Sequence, residues 1–225
     1  MKNSVILKSM LALSILATGV STYGEISQIE AKQAIEQSEQ DLKAYYSKNP
    51  ISTIATIEEM SGNNWELTFN IGSQILSANV KTNRTGFTEG EKVYAFIVPE
   101  GTSKQAQIQS IGGISKNKPE KRTLNIKING QTNEKQRTAT NMNESLEISN
   151  GEISLKELDF RIRKILIDSH GLYTTYNSGT IVVRTGTKEK DKYTFELGKK
   201  LQEHRMDDTI QSKDITSVTV DLKKS

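Results

Sequence analysis

No cysteine occurs in the 225 residues. That absence excludes disulfides, thiolate metal ligands and thiol catalysis together. Histidine is nearly as scarce, with His170 and His204 the only two. Neither stands at metal-ligand spacing from the other or from a carboxylate pair. His170 falls in the last turn of a predicted helix, where a cation suits the dipole, and His204 sits in a polar stretch that reads as surface. No nucleophile elbow, phosphate-binding glycine loop or dinucleotide fingerprint is present. The expectation is a protein without catalytic residues, metal or cofactor.

Charge of one sign is missing as well. The chain carries 30 Lys and Arg against 27 Asp and Glu, a net charge of +3. Nucleic-acid binders usually show a strong basic excess, so no nucleic-acid partner is expected. Long apolar runs are confined to the start. Lys2 and Lys8 precede and flank the short run Met10–Ala17, and small residues follow up to Gly24. This pattern reads as a secretory signal over residues 1–24, and the run is too short for a membrane span. Its removal takes away two lysines and no acid, leaving a net charge of +1. The remainder, about 200 residues without a disulfide, is long enough for two modest cores. A secreted, extracellular chain that does not insert into membranes is expected.

Residues 25–48 read as a helix with a weak apolar face of Ile35, Leu42 and Tyr46, closed by Asn49 and Pro50. From Ile51 the period changes to two. Trp65, Leu67, Phe69 and Ile71 alternate with polar residues as in a half-buried strand. Val93–Val98 reads as a more buried strand, and Gln107–Ile114 as one broken by Gly112 and Gly113. Ser115–Arg122 is polar, basic and contains proline, which marks a boundary between domains. Leu124, Ile126 and Ile128 form a strand that stops at Asn129 and Gly130, and Leu146–Ile148 forms another.

Ser154 and Glu157 then make a capping box. Leu155, Leu158, Ile162, Ile165 and Leu166 form one helical apolar face, and Gly171 stands where a left-handed cap belongs. Thr180–Arg184 and Tyr193–Leu197 flank a polar turn as a hairpin. Lys199–Met206 reads as a helical turn with Gln202, Arg205 and Met206 on one side. Ile215–Leu222 closes the chain as a strand. Thr194 and Glu196 share the outward face of their strand, opposite Tyr193, Phe195 and Leu197. Hydroxyl, carboxylate, amide and guanidinium groups are thereby gathered, a donor and acceptor set suited to a sugar bearing a carboxylate.

Asp159, Arg163, Leu166 and the pair Leu172 and Tyr173 match, type by type and in spacing, the helix signature of the staphylococcal and streptococcal superantigen family. The segment in particular resembles the staphylococcal superantigen-like exoproteins. Asn150 departs from the lysine of that signature. A second signature is kept only in Gly112, Gly113 and Ile114, with Ile111, Ser115 and Glu120 at altered positions. The resemblance implies an α+β, mainly β fold. An oligonucleotide/oligosaccharide-binding (OB) barrel over residues 49–115 and a linker over 116–123 would precede a β-grasp domain over 124–225, with the N-terminal helix packed between the domains.

It also implies a non-enzymatic virulence factor that impairs innate immunity by occupying a host immune glycoprotein or receptor. The sialylated-glycan motif of a subset of relatives maps onto Thr194, Glu196, Lys200, Leu201, Gln202 and Arg205. In that motif Arg205 and Thr194 take the sialic acid carboxylate, while Glu196 and Gln202 take hydroxyls. The zinc motif of several superantigens is absent, because Thr219, Val220 and Asp221 stand where its histidine and aspartate would lie. Alternatives are glycan-independent binding of immunoglobulin, complement, a leukocyte chemoattractant receptor or a host protease, and, less favoured, T-cell superantigenicity. An exposed strand edge could support a homodimer.

Overall fold

The structure is a computed structural model and describes residues 38–100, 107–116, 120–131 and 139–224. The signal expected over residues 1–24, and Ile35 with the start of the predicted helix, lie outside the described residues. Helix α1 is seen over residues 38–46, with Leu42 and Tyr46 buried.

Six strands follow: β1 (Ile51–Ser61), β2 (Asn64–Ile71), β3 (Gln74–Lys81), β4 (Lys92–Ile97), β5 (Ile108–Ile111) and β6 (Ile114–Lys116). Their order in the sheet is β5-β3-β2-β1-β4-β6. The two outermost strands are therefore consecutive in the chain and separated only by Gly112 and Gly113. That covalent link curls the sheet into the OB-type barrel. Gly112 N donates to Lys81 O at 2.8 Å, and Phe96 N donates to Gly113 O at 2.9 Å, so the pair bridges β3 and β4. A side chain on Gly113 would clash with Phe96 O, and one on Gly112 would meet Met206 O at 2.6 Å. Inward alternation fills the barrel with Ile57, Trp65, Leu67, Phe69, Val80 and Val93. Trp65 is a core residue, edge-on to Phe87 at 5.7 Å.

The second half contains β7 (Lys121–Gln131), β8 (Ala139–Ser149), β9 (Glu152–Ser154), helix α2 (Leu155–His170), β10 (Ser178–Arg184), β11 (Lys192–Glu196), β12 (Thr209–Gln211) and β13 (Ser217–Lys223). Five of these strands form a sheet of order β11-β10-β13-β7-β8, in which β7 and β13 run parallel at the centre. Helix α2 packs Leu155, Leu158, Ile162 and Leu166 into the common core, with Ile165 at its margin. This is the β-grasp arrangement. Ser154 Oγ accepts from Glu157 N at 3.1 Å, and Gly171 closes the helix at φ 69°. The reciprocal half of the expected capping box is replaced, because the Glu157 carboxylate pairs with Arg161 at 2.8 Å and accepts from Tyr94 at 3.1 Å.

Some strand boundaries differ from expectation. Strand β7 runs through Asn129 and Gly130, and a side chain at Gly130 would strike the Tyr176 hydroxyl at 2.5 Å, which is why glycine sits inside a strand. Strand β8 extends well before Leu146. Lys116 belongs to β6 and β7 begins at Lys121, both inside the range expected for the linker.

The two halves share a packed seam. Tyr45, Tyr46, Phe96 and Phe160, from α1, β4 and α2, pack edge-on or tilted with ring centroids 5.0–5.9 Å apart. Burying aromatic side chains of this kind contributes about 1.5–3 kcal/mol each. Lys156 crosses the same seam, its ammonium donating to Ser110 Oγ at 2.8 Å and Ile111 O at 2.5 Å. Burial pushes its pKa down to about 7. No helix among the described residues is long and apolar enough to cross a membrane.

Candidate functional site

Strand β11 is an edge strand, hydrogen-bonded on one side to β10. Alternation buries Phe195 and Leu197 and turns Thr194 and Glu196 outward. The chain then leaves the sheet through Gly198 and passes over the strand end. The predicted helical turn over Lys199–Met206 is a single 3-10 turn, Glu203–Arg205, preceded by extended chain. Met206 does not share an exposed side with Arg205 but is buried. Tertiary partners explain the difference. Leu201 N donates to the Tyr46 hydroxyl at 3.2 Å, Gly113 N to Met206 O at 3.1 Å, and Leu155 N to Asp208 O at 2.8 Å. Asp207 accepts from Thr82 Oγ1 and Asn83 N, both at 2.7 Å. These bonds tether the segment to helix α1, the barrel and the start of helix α2.

The strand end and the turn enclose a shallow cleft lined by Thr194, Glu196, Lys199, Lys200, Gln202 and Arg205, with Phe195 and Leu201 in its floor. All five site residues predicted from sequence are thus brought to one place. Arg205 lies over the Phe195 ring at 5.2 Å. Its Nη1 donates to Thr194 O at 3.1 Å and to Gln202 Oε1 at 3.4 Å. Among the described residues Nε and Nη2 have no protein acceptor, so one edge of the guanidinium fork remains for a ligand. Glu196 is exposed and paired with Lys199 at 2.7 Å. The Lys199 hydrogen bond and charge hold its carboxyl below the usual carboxylate range.

Lys200 behaves differently from its neighbours. Its ammonium donates to Glu100 Oε2 at 2.9 Å and lies 3.8 Å from the Tyr45 ring centroid. Its charge is engaged by the barrel side of the seam.

Beneath the cleft sits Arg163, fully buried. Its Nε donates to Asp159 Oδ1 at 2.7 Å, Nη1 to the Tyr173 hydroxyl at 2.8 Å and to Leu197 O at 2.9 Å, and Nη2 to Glu196 O at 2.9 Å. Tyr173 also donates to Leu197 O at 2.8 Å. Burial opposes the charge on Arg163, but Asp159, Tyr46 and Tyr173 together outweigh it and raise its pKa. Sequence reasoning placed Asp159, Arg163 and Tyr173 as fold markers only. Their contacts show that they hold the backbone of the site strand. His170 is paired with Glu144 at 2.9 Å, away from the cleft, and His204 is exposed on the turn.

Residues 124–222 match the family model of the staphylococcal/streptococcal toxin beta-grasp domain. Superantigen-like protein 11 of Staphylococcus aureus (strain Newman) is 34% identical over 230 residues, spanning 99% of this chain and 100% of its own. Among solved structures, a superantigen-like protein from Staphylococcus aureus in complex with sialyl-Lewis X has a TM-score of 0.68 at 30% identity, covering 83% of this chain and 100% of that one. Another, in complex with 3-N-acetylneuraminyl-N-acetyllactosamine, has a TM-score of 0.66 at 30% identity, covering 83% and 99%.

Proposed function

The chain belongs to the staphylococcal superantigen-like family, and on that premise we propose that it is a secreted, non-enzymatic binder of sialylated glycans on host immune glycoproteins or receptors, impairing innate immunity by occupying them. One observation carries this reading. Arg205 is held over Phe195, 5.2 Å from the ring centroid, with one edge of its fork open among the described residues, beside an outward hydroxyl, carboxylate and amide. A planar fork gives a carboxylate two parallel charge-assisted hydrogen bonds. The assignment is Arg205 and Thr194 to the sialic acid carboxylate, and Glu196 and Gln202 to hydroxyls. Two solved neighbours in complex with sialylated glycans support the same ligand class.

The test is a sialyl-lactosamine array with wild type and Arg205→Ala. Wild type binds sialylated members and not their desialylated counterparts, and the variant loses that binding. Binding that survives the substitution removes the assigned site, and a wild type that binds no sialylated member removes the glycan reading.

A glycan-independent protein contact is the second reading. Ile54 and Ile75, 41% and 77% exposed, line one groove on the barrel and favour it. Capture of a host protein that persists after sialidase treatment, and is lost on Ile75→Asp, would establish that reading over the first.

A further inference from the structure

Both walls of the cleft are tied to one buried chain of hydrogen bonds. Glu196 O, at the strand wall, accepts from Arg163 Nη2 at 2.9 Å. Arg163 Nε donates to one oxygen of Asp159 at 2.7 Å, and the other oxygen accepts from the Tyr46 hydroxyl at 2.6 Å. That hydroxyl in turn accepts from Leu201 N, at the turn wall, at 3.2 Å. The relay begins and ends on the cleft and passes through helix α1, which lies 155 residues upstream of Leu201. The Tyr46 ring is also stacked below the guanidinium of Arg163 at 4.4 Å.

A second clamp lies beside the first. Glu100 uses one carboxylate oxygen for the Tyr45 hydroxyl at 2.9 Å and the other for Lys200 Nζ at 2.9 Å. Lys200 rests on the Tyr45 ring at 3.8 Å. Resting a cation on an aromatic face adds to the ion pair. Together the clamps fix two successive residues, Lys200 and Leu201, immediately before Gln202.

We propose that Tyr46, Tyr45 and Glu100 are positioning residues of the glycan cleft, and that Lys200 serves as their anchor point and not as a ligand for the sialic acid carboxylate. The idea rests on the glycan reading of the cleft. It makes the cleft a composite. The β-grasp domain supplies the groups that touch ligand, while helix α1 and the barrel end set the gap between Glu196 and Gln202. An unheld turn must be ordered at the moment of binding, and that ordering subtracts from affinity.

Tyr46→Phe and Glu100→Gln test it, with affinity for sialyl-lactosamine read by surface plasmon resonance and amide exchange at Leu201 read by nuclear magnetic resonance. Tyr46→Phe keeps the ring stack and removes the relay hydroxyl. Binding weakens about threefold to tenfold, the range of one hydrogen bond, chiefly through faster dissociation. The Leu201 amide exchanges faster while distant strand amides do not. Glu100→Gln separates the two roles of Lys200 by sign. As an anchor, Lys200 loses its hold and affinity falls. As a carboxylate ligand, it is freed and affinity rises, which overturns the proposal. Wild-type affinity and Leu201 exchange in Tyr46→Phe also overturn it. If Tyr46→Phe does not fold, the sign of the Glu100→Gln effect decides. If wild type binds no sialylated glycan, the functional reading fails, and exchange at Leu201 still reports whether Tyr46 holds the turn.

Discussion

Arg163 and Arg205 lie on opposite sides of one strand end and are used in opposite ways. Arg163 is buried, and its donors go to Asp159, Tyr173, Leu197 and Glu196. Arg205 is half-buried, with one nitrogen bonded to protein and a ring beneath it. The first arginine holds backbone, and the second is held with one edge of its fork open among the described residues. A family signature and a ligand motif are therefore two layers of one device. The spacing of Asp159 and Arg163 on the helix fixes where the carbonyls of Glu196 and Leu197 stand, and so where the outward side chains of β11 point.

Removing the inner arginine should produce the largest effect. Arg163→Met leaves Asp159 buried without its counter-ion, and breaking one partner of a buried pair costs about 3–5 kcal/mol. Urea denaturation should show a loss of that size. Lysine should not rescue it, because a single ammonium cannot replace the fork that reaches four backbone and side-chain acceptors. A loss below about 1 kcal/mol would break the distinction between the two arginines. Arg205→Ala is the converse. Its unfolding free energy should stay within about 0.5 kcal/mol of wild type, as for ordinary surface substitutions. Glycan affinity should fall by about tenfold or more, the range for a hydrogen bond to a charged group. A calorimetric titration beside the same denaturation series separates the two outcomes.

The inner layer was more legible in sequence than the cleft's geometry. Ser154, the apolar spacing from Leu155 to Leu166, and Gly171 announce helix α2 through local rules alone, and the structure keeps them. Thr194 and Glu196 were assigned outward by strand alternation, and β11 places them so. The turn was misread because Lys199–Met206 is rich in good helix formers. Its backbone instead bonds to Tyr46 and Gly113, partners with no local trace. The engagement of Lys200 was invisible for the same reason, since Glu100 lies 100 residues away. The strand ends at Lys116 and Lys121 were not legible, because a charged stretch with a proline reads as solvated even where its ends enter strands.

A third prediction concerns the seam that both layers depend on. Lys156 has a folded pKa near 7 against an ordinary value of 10.5, because burial disfavours its charge. Ser110 Oγ and Ile111 O solvate its ammonium. From the barrel side Glu100 also favours the charged form; Asp207 favours it and Lys200 opposes it from the site loop. Between pH 7 and 10.5 the unfolded chain binds more protons than the folded one, so this group makes stability rise with pH. The slope contribution reaches about 1.4 kcal/mol per pH unit. Below pH 7 both states are protonated and the burial cost is present in full. Lys156→Met should flatten the difference between denaturation midpoints at pH 6.5 and 9. A wild type and variant with parallel pH profiles would show that the seam does not depend on that proton.

The smallest effect belongs to Glu196, and it sharpens the comparison most finely. Its backbone carbonyl is part of the inner layer through Arg163, while its exposed carboxylate belongs to the outer one. Glu196→Gln changes only the second. The Lys199 hydrogen bond keeps the wild-type carboxyl ionised to lower pH than usual, so on the proposed glycan reading it meets sugar hydroxyls as an anion at neutral pH. The amide substitute accepts more weakly, and removing the charge also frees Lys199. Thermal unfolding should be unchanged, and affinity for sialyl-lactosamine should fall modestly, by less than in Arg205→Ala. The wild-type affinity should also drop as the pH is lowered through the carboxyl's depressed pKa, and the variant should lose that component of the pH dependence. A variant that melts earlier than wild type would mean that the carboxylate, and not only the carbonyl, holds the strand end.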